Sequence, residues 1–327
     1  MAEGWLPPAL NGGWIYPDRV DASAVGERVT AFYASRYLHS PAAAWARRLE
    51  AGEIERNGQP LRQDTVLVAG DRLAWHRPPW REDAVPALPQ PLLDDGDLLV
   101  LNKPSGLPVL PAGGWLEHTV LGQLERQVAC GALAAAAGRP RPVHRLGRYT
   151  SGLLLCARRP ASRAWLSALL RDGSRCRKLY RALLQPPLPG SALLALAPGE
   201  SLTLTTPIGL RPHARLGMLW AAAPDADADA LAARSTLTLL RRAAGSWLVE
   251  VAIATGRPHQ IRIHTAAAGA PLLGDPLYTP GGLPAHRALP GDGGYQLHAH
   301  RLHLPLVDGG LLELEAPLPP ELACPGG

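Results

Sequence analysis

Lysine is nearly absent from this chain. Lys103 and Lys178 are the only two among 327 residues, and every other strongly basic side chain is arginine. No apolar run approaches the ~18 residues of a membrane-spanning helix, which excludes a helical span. The four cysteines, Cys130, Cys156, Cys176 and Cys324, form neither a CxxC pair nor a metal-ligand spacing. They read as reduced thiols of a cytosolic protein, with Cys156 in the core. The opening residues Met1-Ala2-Glu3-Gly4-Trp5 lack a basic-then-apolar signal pattern, so a cytoplasmic protein is expected. Neither GxxxxGK[ST] nor GxGxxG is present, which argues against nucleotide hydrolysis. Acidic residues are missing from one long stretch: between Arg126 and Arg171 there is no Asp or Glu, while nine arginines and His144 fall inside it. Two readings stay open, a solvated face balanced by acids elsewhere in space and a surface that tracks a phosphate backbone.

What is present divides the chain. The hydrophobic fraction of 46% is ample for a core, and the length suits a large domain plus a small one. Residues 1–24 read as an irregular leader with Trp5, Trp14 and Tyr16 as packing anchors. Residues 25–76 read as a small domain. In it, Phe32, Tyr33 and Tyr37 fall at helical spacing, and a second helix from Ala42 carries Arg47-Arg48 and stops at Gly52. A strand at Ile54 then enters an Asn57-Gly58 turn, and Val66, Val68 and Leu73 suggest a further strand. Residues 77–91, with Pro78, Pro79, Pro86, Pro89 and Pro91, read as an extended linker. A large domain is expected over residues 92–320. Within it, residues 185–235 read as a variable surface connection.

The segment Pro142-Val143-His144-Arg145-Leu146-Gly147-Arg148-Tyr149-Thr150-Ser151-Gly152-Leu153-Leu154-Leu155 organises the large domain. Polar and cationic groups come first, then a short apolar run typical of a central strand. A loop entering such a strand is a common place to present chemistry. This segment closely resembles the HRLDxxTSGLLL signature of the largest family of RNA pseudouridine synthases, except that Gly147 stands where that family has its catalytic aspartate. Four further stretches are similar to motifs of the same family and occur in its order. They are Asn102-Lys103-Pro104-Ser105-Gly106-Leu107-Pro108-Val109; Arg177-Lys178-Leu179-Tyr180-Arg181-Ala182; Thr255-Gly256-Arg257-Pro258-His259-Gln260-Ile261-Arg262-Ile263-His264 with Gly274-Asp275; and Leu297-His298-Ala299.

The resemblance implies an α+β fold, a mixed and mostly antiparallel sheet with flanking helices. It implies a uridine turned out of its stack into a pocket and no cofactor. It implies a tyrosine against the base and an arginine that pairs with the motif aspartate, here Tyr180 and Arg262. His144, Arg145, Arg148, Lys103 and Lys178 are then RNA contacts, although Asn102 and Lys103 read equally well as residues bonding the loop. Residues 25–76 resemble the small RNA-binding module of a small-subunit ribosomal protein, which would use Arg47 and Arg48; the alternative is a structural domain with a surface arginine pair.

Gly147 supplies no carboxylate, and such a change normally removes an acid–base or nucleophilic catalyst. Asp94, Asp95, Asp97 and Asp275 are the candidates for a displaced acid. Two functions follow: a pseudouridine synthase for ribosomal or transfer RNA with an altered site, or a non-catalytic RNA-binding protein on that scaffold. A monomer is the simplest expectation. His259, His264, His298, His300 and His303 lack a completing acid or cysteine, so no metal site is expected.

Overall fold

The computed structural model describes residues 4–173, 175–305 and 310–323; Cys324 lies outside them. The chain divides into two compact units, residues 8–83 and a larger one of residues 1–7 with 84–327.

In the small unit, strand β1 (Trp14–Arg19) is followed by helices α1 (Val29–Arg36) and α2 (Ala42–Glu50), hairpin strands β2 (Ile54–Arg56) and β3 (Gln59–Leu61), and strand β4 (Arg72–Arg77). The sheet order is β1-β4-β2-β3. Part of the expected leader is therefore a paired strand, with Trp14 opposite Arg77 and Arg19 opposite Arg72. Pro17 is tolerated because β1 lies at the sheet edge. The hairpin turns at Asn57-Gly58, both at positive φ, as a two-residue primed turn requires. Tyr33 stacks on Trp45 at 4.6 Å, and Trp45 meets Trp75 edge-on at 4.8 Å. Aromatic burial of this kind lets so small a unit hold a core. Val66 and Val68 are half-exposed and lie outside the strands, the pairing strand being β4.

The larger unit begins earlier than residue 92. Val85 and Leu88 are buried, and Val85–Pro86 pairs with Trp5–Leu6. The stretch expected to be an extended linker is thus anchored within each unit, Arg81–Glu82 pairing with Ala9–Leu10 in the small one. Its strands are β5 (Leu93–Asp94), β6 (Leu98–Lys103), β7 (Arg141–Pro142), β8 (Thr150–Ala157), β9 (Arg177–Leu184), β10 (Ser201–Leu204), the hairpin β11 (Ile208–His213) and β12 (Gly217–Ala222), β13 (Ser235–Arg242), β14 (Trp247–Ile253), β15 (Leu297–Pro305) and β16 (Leu311–Glu315). Residues 185–235 therefore carry regular structure rather than a plain surface connection. Helices α3 (Val120–Ala129), α4 (Pro160–Arg171) and α5 (Gln260–Ala267) complete the unit. The main sheet runs β10-β13-β14-β9-β15-β8-β6-β5, with β7 on β8 and β16 on β15. All its pairs are antiparallel except β8 with β15. This is the expected α+β architecture.

Every residue of β8 is buried, which explains its unbroken apolar sequence: both faces are covered. Leu153, Leu155 and Ala157 pack with Leu166, Leu169 and Leu170 of α4. Leu154 and Cys156 face the other way, toward Val120 and Leu124 of α3. Thr119 caps α3 by accepting a hydrogen bond from Gly122 N at 3.0 Å, and Pro160 opens α4 at a position where it needs no N–H partner. The parallel pairing of β8 with β15 (Thr150 opposite Leu297) brings the entry points of both strands to the same end of the sheet.

Candidate active site

Four of the sequence motifs line one cleft of about 530 Å³, Ala299 of β15 among them, within the usual range for a ligand site. The signature loop contributes Val143, His144 and Arg145; β9 contributes Lys178, Leu179 and Tyr180; the turn before α5 contributes Gly256 and Arg257. Arg171 and Arg301 add further cationic side chains. Tyr180 owes its place to a register shift between Leu179 and Tyr180, where β15 carries one extra residue. Such bulges re-aim side chains beside functional sites. Burial pushes the Tyr180 phenol up to about 12, so the hydroxyl stays protonated.

The remaining motif residues build the cleft rather than face it. Gln260 accepts from Thr255 Oγ1 at 2.7 Å and from Arg257 N at 3.1 Å, holding the turn, and donates to Arg234 O and Ser235 Oγ. His259 adopts a left-handed backbone at φ 54°. Its Nδ1 lies 2.7 Å from Tyr278 Oη, which itself donates to Trp220 O at 2.6 Å. His264 is fixed by Ser235 Oγ and Thr206 O, and His298 by Ser151 Oγ at 2.8 Å.

Several side chains expected to touch RNA are engaged internally. Lys103 is fully buried, and its Nζ donates to the carbonyls of Pro104, Leu107 and Arg148 at 2.8–2.9 Å. It clamps the Pro/Gly loop against the signature loop; burial and the nearby Arg148 charge pull its pKa down to about 7. This corrects the RNA-contact expectation for Lys103. Arg148 donates to Gly106 O and Gly291 O and stacks on Trp115 at 4.5 Å. His144 Nε2 accepts from Leu155 N at 3.0 Å, so that nitrogen carries no proton. Lys178 donates to Leu170 O at 2.7 Å from the cleft wall. In the small unit, Arg48 stacks on Trp45 and Trp75 at 4.2 and 4.7 Å and serves the core, whereas Arg47 on the same helix is exposed. Arg145 is exposed on the signature loop and lines the cleft, as does the exposed Arg171.

Three histidines, His298 buried and His144 and His259 partly buried, give the unit an acid limit. Burial pulls His144 to about 4, His259 to about 3 and His298 to about 4. Each folded-state pKa lies below the ordinary value near 6.5, so the unfolded chain binds the extra protons as pH falls. Stability is full above about pH 6.5 and declines below it, by at most ~1.4 kcal/mol per pH unit per group. Urea midpoints measured from about pH 7.5 down to about pH 5 should fall steadily, and His144→Gln should flatten that slope.

Of the candidate replacement acids, three lie at the wrong end of the sheet. Asp94 pairs bidentately with Arg158 at 2.7 and 2.8 Å, Asp95 caps Asp97 N and Leu98 N, and Asp97 binds Arg159 N and Ser162 Oγ. Leu98 stands opposite Ala157, at the far end of β8 from Thr150; seven residues of strand separate them, roughly 23 Å. Asp275 is at the site, but both its oxygens accept from Arg262 at 2.7 Å and its side chain is fully buried. Arg262 also lies 4.2 Å from the Tyr295 ring centroid and 5.1 Å from that of Tyr278. The position beside Gly147 is taken by Tyr295: a Cβ on Gly147 would lie 2.2 Å from Tyr295 Oη. No local pattern in the sequence linked these two residues, which are 148 positions apart. Arg257 was legible within its motif, and its place on the cleft wall was not.

The cleft thus sets one aromatic ring, Tyr180, among the side chains of Arg145, Arg171, Arg257 and Arg301. The chain belongs to the RNA pseudouridylate synthase family, which it matches over residues 97–267. It is 43% identical over 298 residues to an uncharacterized RNA pseudouridine synthase of Synechocystis sp., covering 90% of this chain and 95% of that one. It is 35% identical to RNA pseudouridine synthase 5 of Arabidopsis thaliana, covering 96% and 95%. With ribosomal large subunit pseudouridine synthase D of Neisseria meningitidis it shares 29% identity over 97% of this chain and 79% of that one. Among solved structures, Human RNA Pseudouridylate Synthase Domain Containing 4 superposes with a TM-score of 0.52 at 23% identity, covering 71% of this chain and 90% of that one, which places the fold in the same group.

Proposed function

We infer that the protein isomerises uridine to pseudouridine in structured RNA, with ribosomal RNA the first substrate class to test and transfer RNA the second. In this reaction the N1–C1′ bond of uridine breaks, a C5–C1′ bond forms, and the C5 proton ends on N1, so no oxidant, reductant or water is consumed. The observation that carries the reading is the convergence of the signature loop, β9 and the turn before α5 on one cleft. Tyr180 is suited to pack against the turned-out base, and Arg145, Arg171 and Arg257 to meet phosphates. Arg47 of the small unit supplies a further contact. The protein works as a monomer in the cytoplasm without a cofactor. The missing carboxylate at Gly147 favours a second reading, an RNA-binding protein on the same scaffold.

Purified protein incubated with ribosomal and transfer RNA transcripts, followed by pseudouridine detection at single-nucleotide resolution, tests the first reading. Modification of at least one uridine supports it, and tight binding without modification supports the second. In either case Arg145→Ala should weaken RNA binding by about 5- to 10-fold and reduce the salt slope by about one unit. Filter binding across a salt series checks this.

A further inference from the structure

The geometry points to Tyr295 as a positioning residue of this site, its hydroxyl filling the space where a side chain on residue 147 would begin. The inference rests on the synthase reading above and adds the residue that fills the place of a side chain at 147. A Cβ built on Gly147 would meet Tyr295 Oη at 2.2 Å, Thr150 Oγ1 at 3.2 Å and Tyr295 Cζ at 3.5 Å. No residue with a Cβ fits there while Tyr295 holds its place. Gly147 is not in a left-handed conformation, so the turn itself does not demand glycine; the phenol does.

Tyr295 is held from three sides. Its hydroxyl lies 3.3 Å from Thr150 Oγ1, the Arg262 guanidinium lies 4.2 Å from its ring centroid, and Tyr149 meets it edge-on at 6.0 Å. Arg262 is the arginine that would otherwise pair with an acid at 147. Here its charge is already matched by Asp275 through two 2.7 Å hydrogen bonds, and the Tyr295 ring offers it a cation–π face. Gly147 itself is exposed while Tyr295 is 1% exposed, so the hydroxyl lies directly behind a backbone that a nucleotide can approach. A phenol there both donates and accepts hydrogen bonds, whereas a carboxylate only accepts. Its role is to hold the signature loop in place from behind, at Gly147 and Thr150; no bond to Tyr295 is made or broken. Tyr295 is thus a positioning residue.

Tyr295→Phe in the full chain keeps the ring and its stack on Arg262 and removes only the hydroxyl. On an RNA that the wild type modifies, kcat should fall about 10-fold or more as the loop loses its support, with KM for RNA unchanged and Tm within about 2 °C. A kcat within about 3-fold of wild type would overturn the role. Gly147→Asp alone should lower Tm and gain no activity, whereas Gly147→Asp combined with Tyr295→Ala should recover Tm relative to the single change. A Gly147→Asp protein as stable as wild type would overturn the exchange. A wild type that modifies no RNA would overturn the proposed function and the role of the hydroxyl with it, while the Tm comparison separately decides whether Tyr295 holds the position.

Discussion

Asp275→Ala should destabilise the larger unit by about 3–5 kcal/mol, the usual result of stripping one partner from a buried ion pair. The Arg262 side chain is 3% exposed and that of Asp275 fully buried. Removing the carboxylate leaves a guanidinium in a low-dielectric pocket with Pro290 O at 3.3 Å and two aromatic faces as its remaining partners. Leu277 N loses its acceptor as well. In a unit of this size the loss corresponds to a Tm drop on the order of 10 °C. Replacing Arg262 by Met in the same background removes the stranded charge and should recover part of that loss, since an apolar substitute for a buried pair is often tolerated. Calorimetry on the three variants checks this. An Asp275→Ala protein melting within about 2 °C of wild type would show that water reaches the pair and that the site is more open than described.

Gly152→Ala should be more damaging still and prevent accumulation of folded protein. Gly152 has φ +100° and faces Ala299 across the parallel pair of β8 with β15. A Cβ there would lie 2.2 Å from Ala299 O and 2.8 Å from Ala299 C and N. Backbone atoms inside a central sheet cannot swing aside, so the strands must part, and only three residue pairs join them. Strain at the positive φ alone costs about 1–3 kcal/mol. The useful control is Gly190→Ala, where φ is +86° and nothing lies within 4 Å of the added methyl. That variant should lose about 1 kcal/mol and stay folded. Soluble yield and circular dichroism of the pair separate clash from conformational strain; equal behaviour of the two would mean that β8 and β15 adapt.

These two positions also show what the sequence carried. Gly152 sits in a run whose continuous apolar character marked β8 as central, and its burial on both faces followed from that pattern. The burial of Cys156 and the hairpin at Asn57-Gly58 were legible for the same reason: each is a local signal of periodicity or turn chemistry. Trp14–Arg19 was missed because its Pro17 argues against a strand interior, a rule that edge strands escape. Lys103 was ambiguous because a lone lysine beside a Pro/Gly loop reads equally as a ligand or as a clamp, and only the three converging carbonyls decide. Asp275 stood among the candidate acids, and its hold on Arg262 was not legible because it depends on how the turn after α5 folds back. The Gly147–Tyr295 contact was the least legible. It arises because β8 and β15 run parallel and start together, a long-range pairing that no window of sequence records.

The most direct measurement is pseudouridine mapping at single-nucleotide resolution in total RNA from cells with the gene, without it, and complemented with the wild-type copy. The expected result is at least one uridine whose modification disappears on deletion and returns with the wild-type chain. An identical pseudouridine map in all three strains would contradict synthase activity and leave an RNA-binding protein on the synthase scaffold.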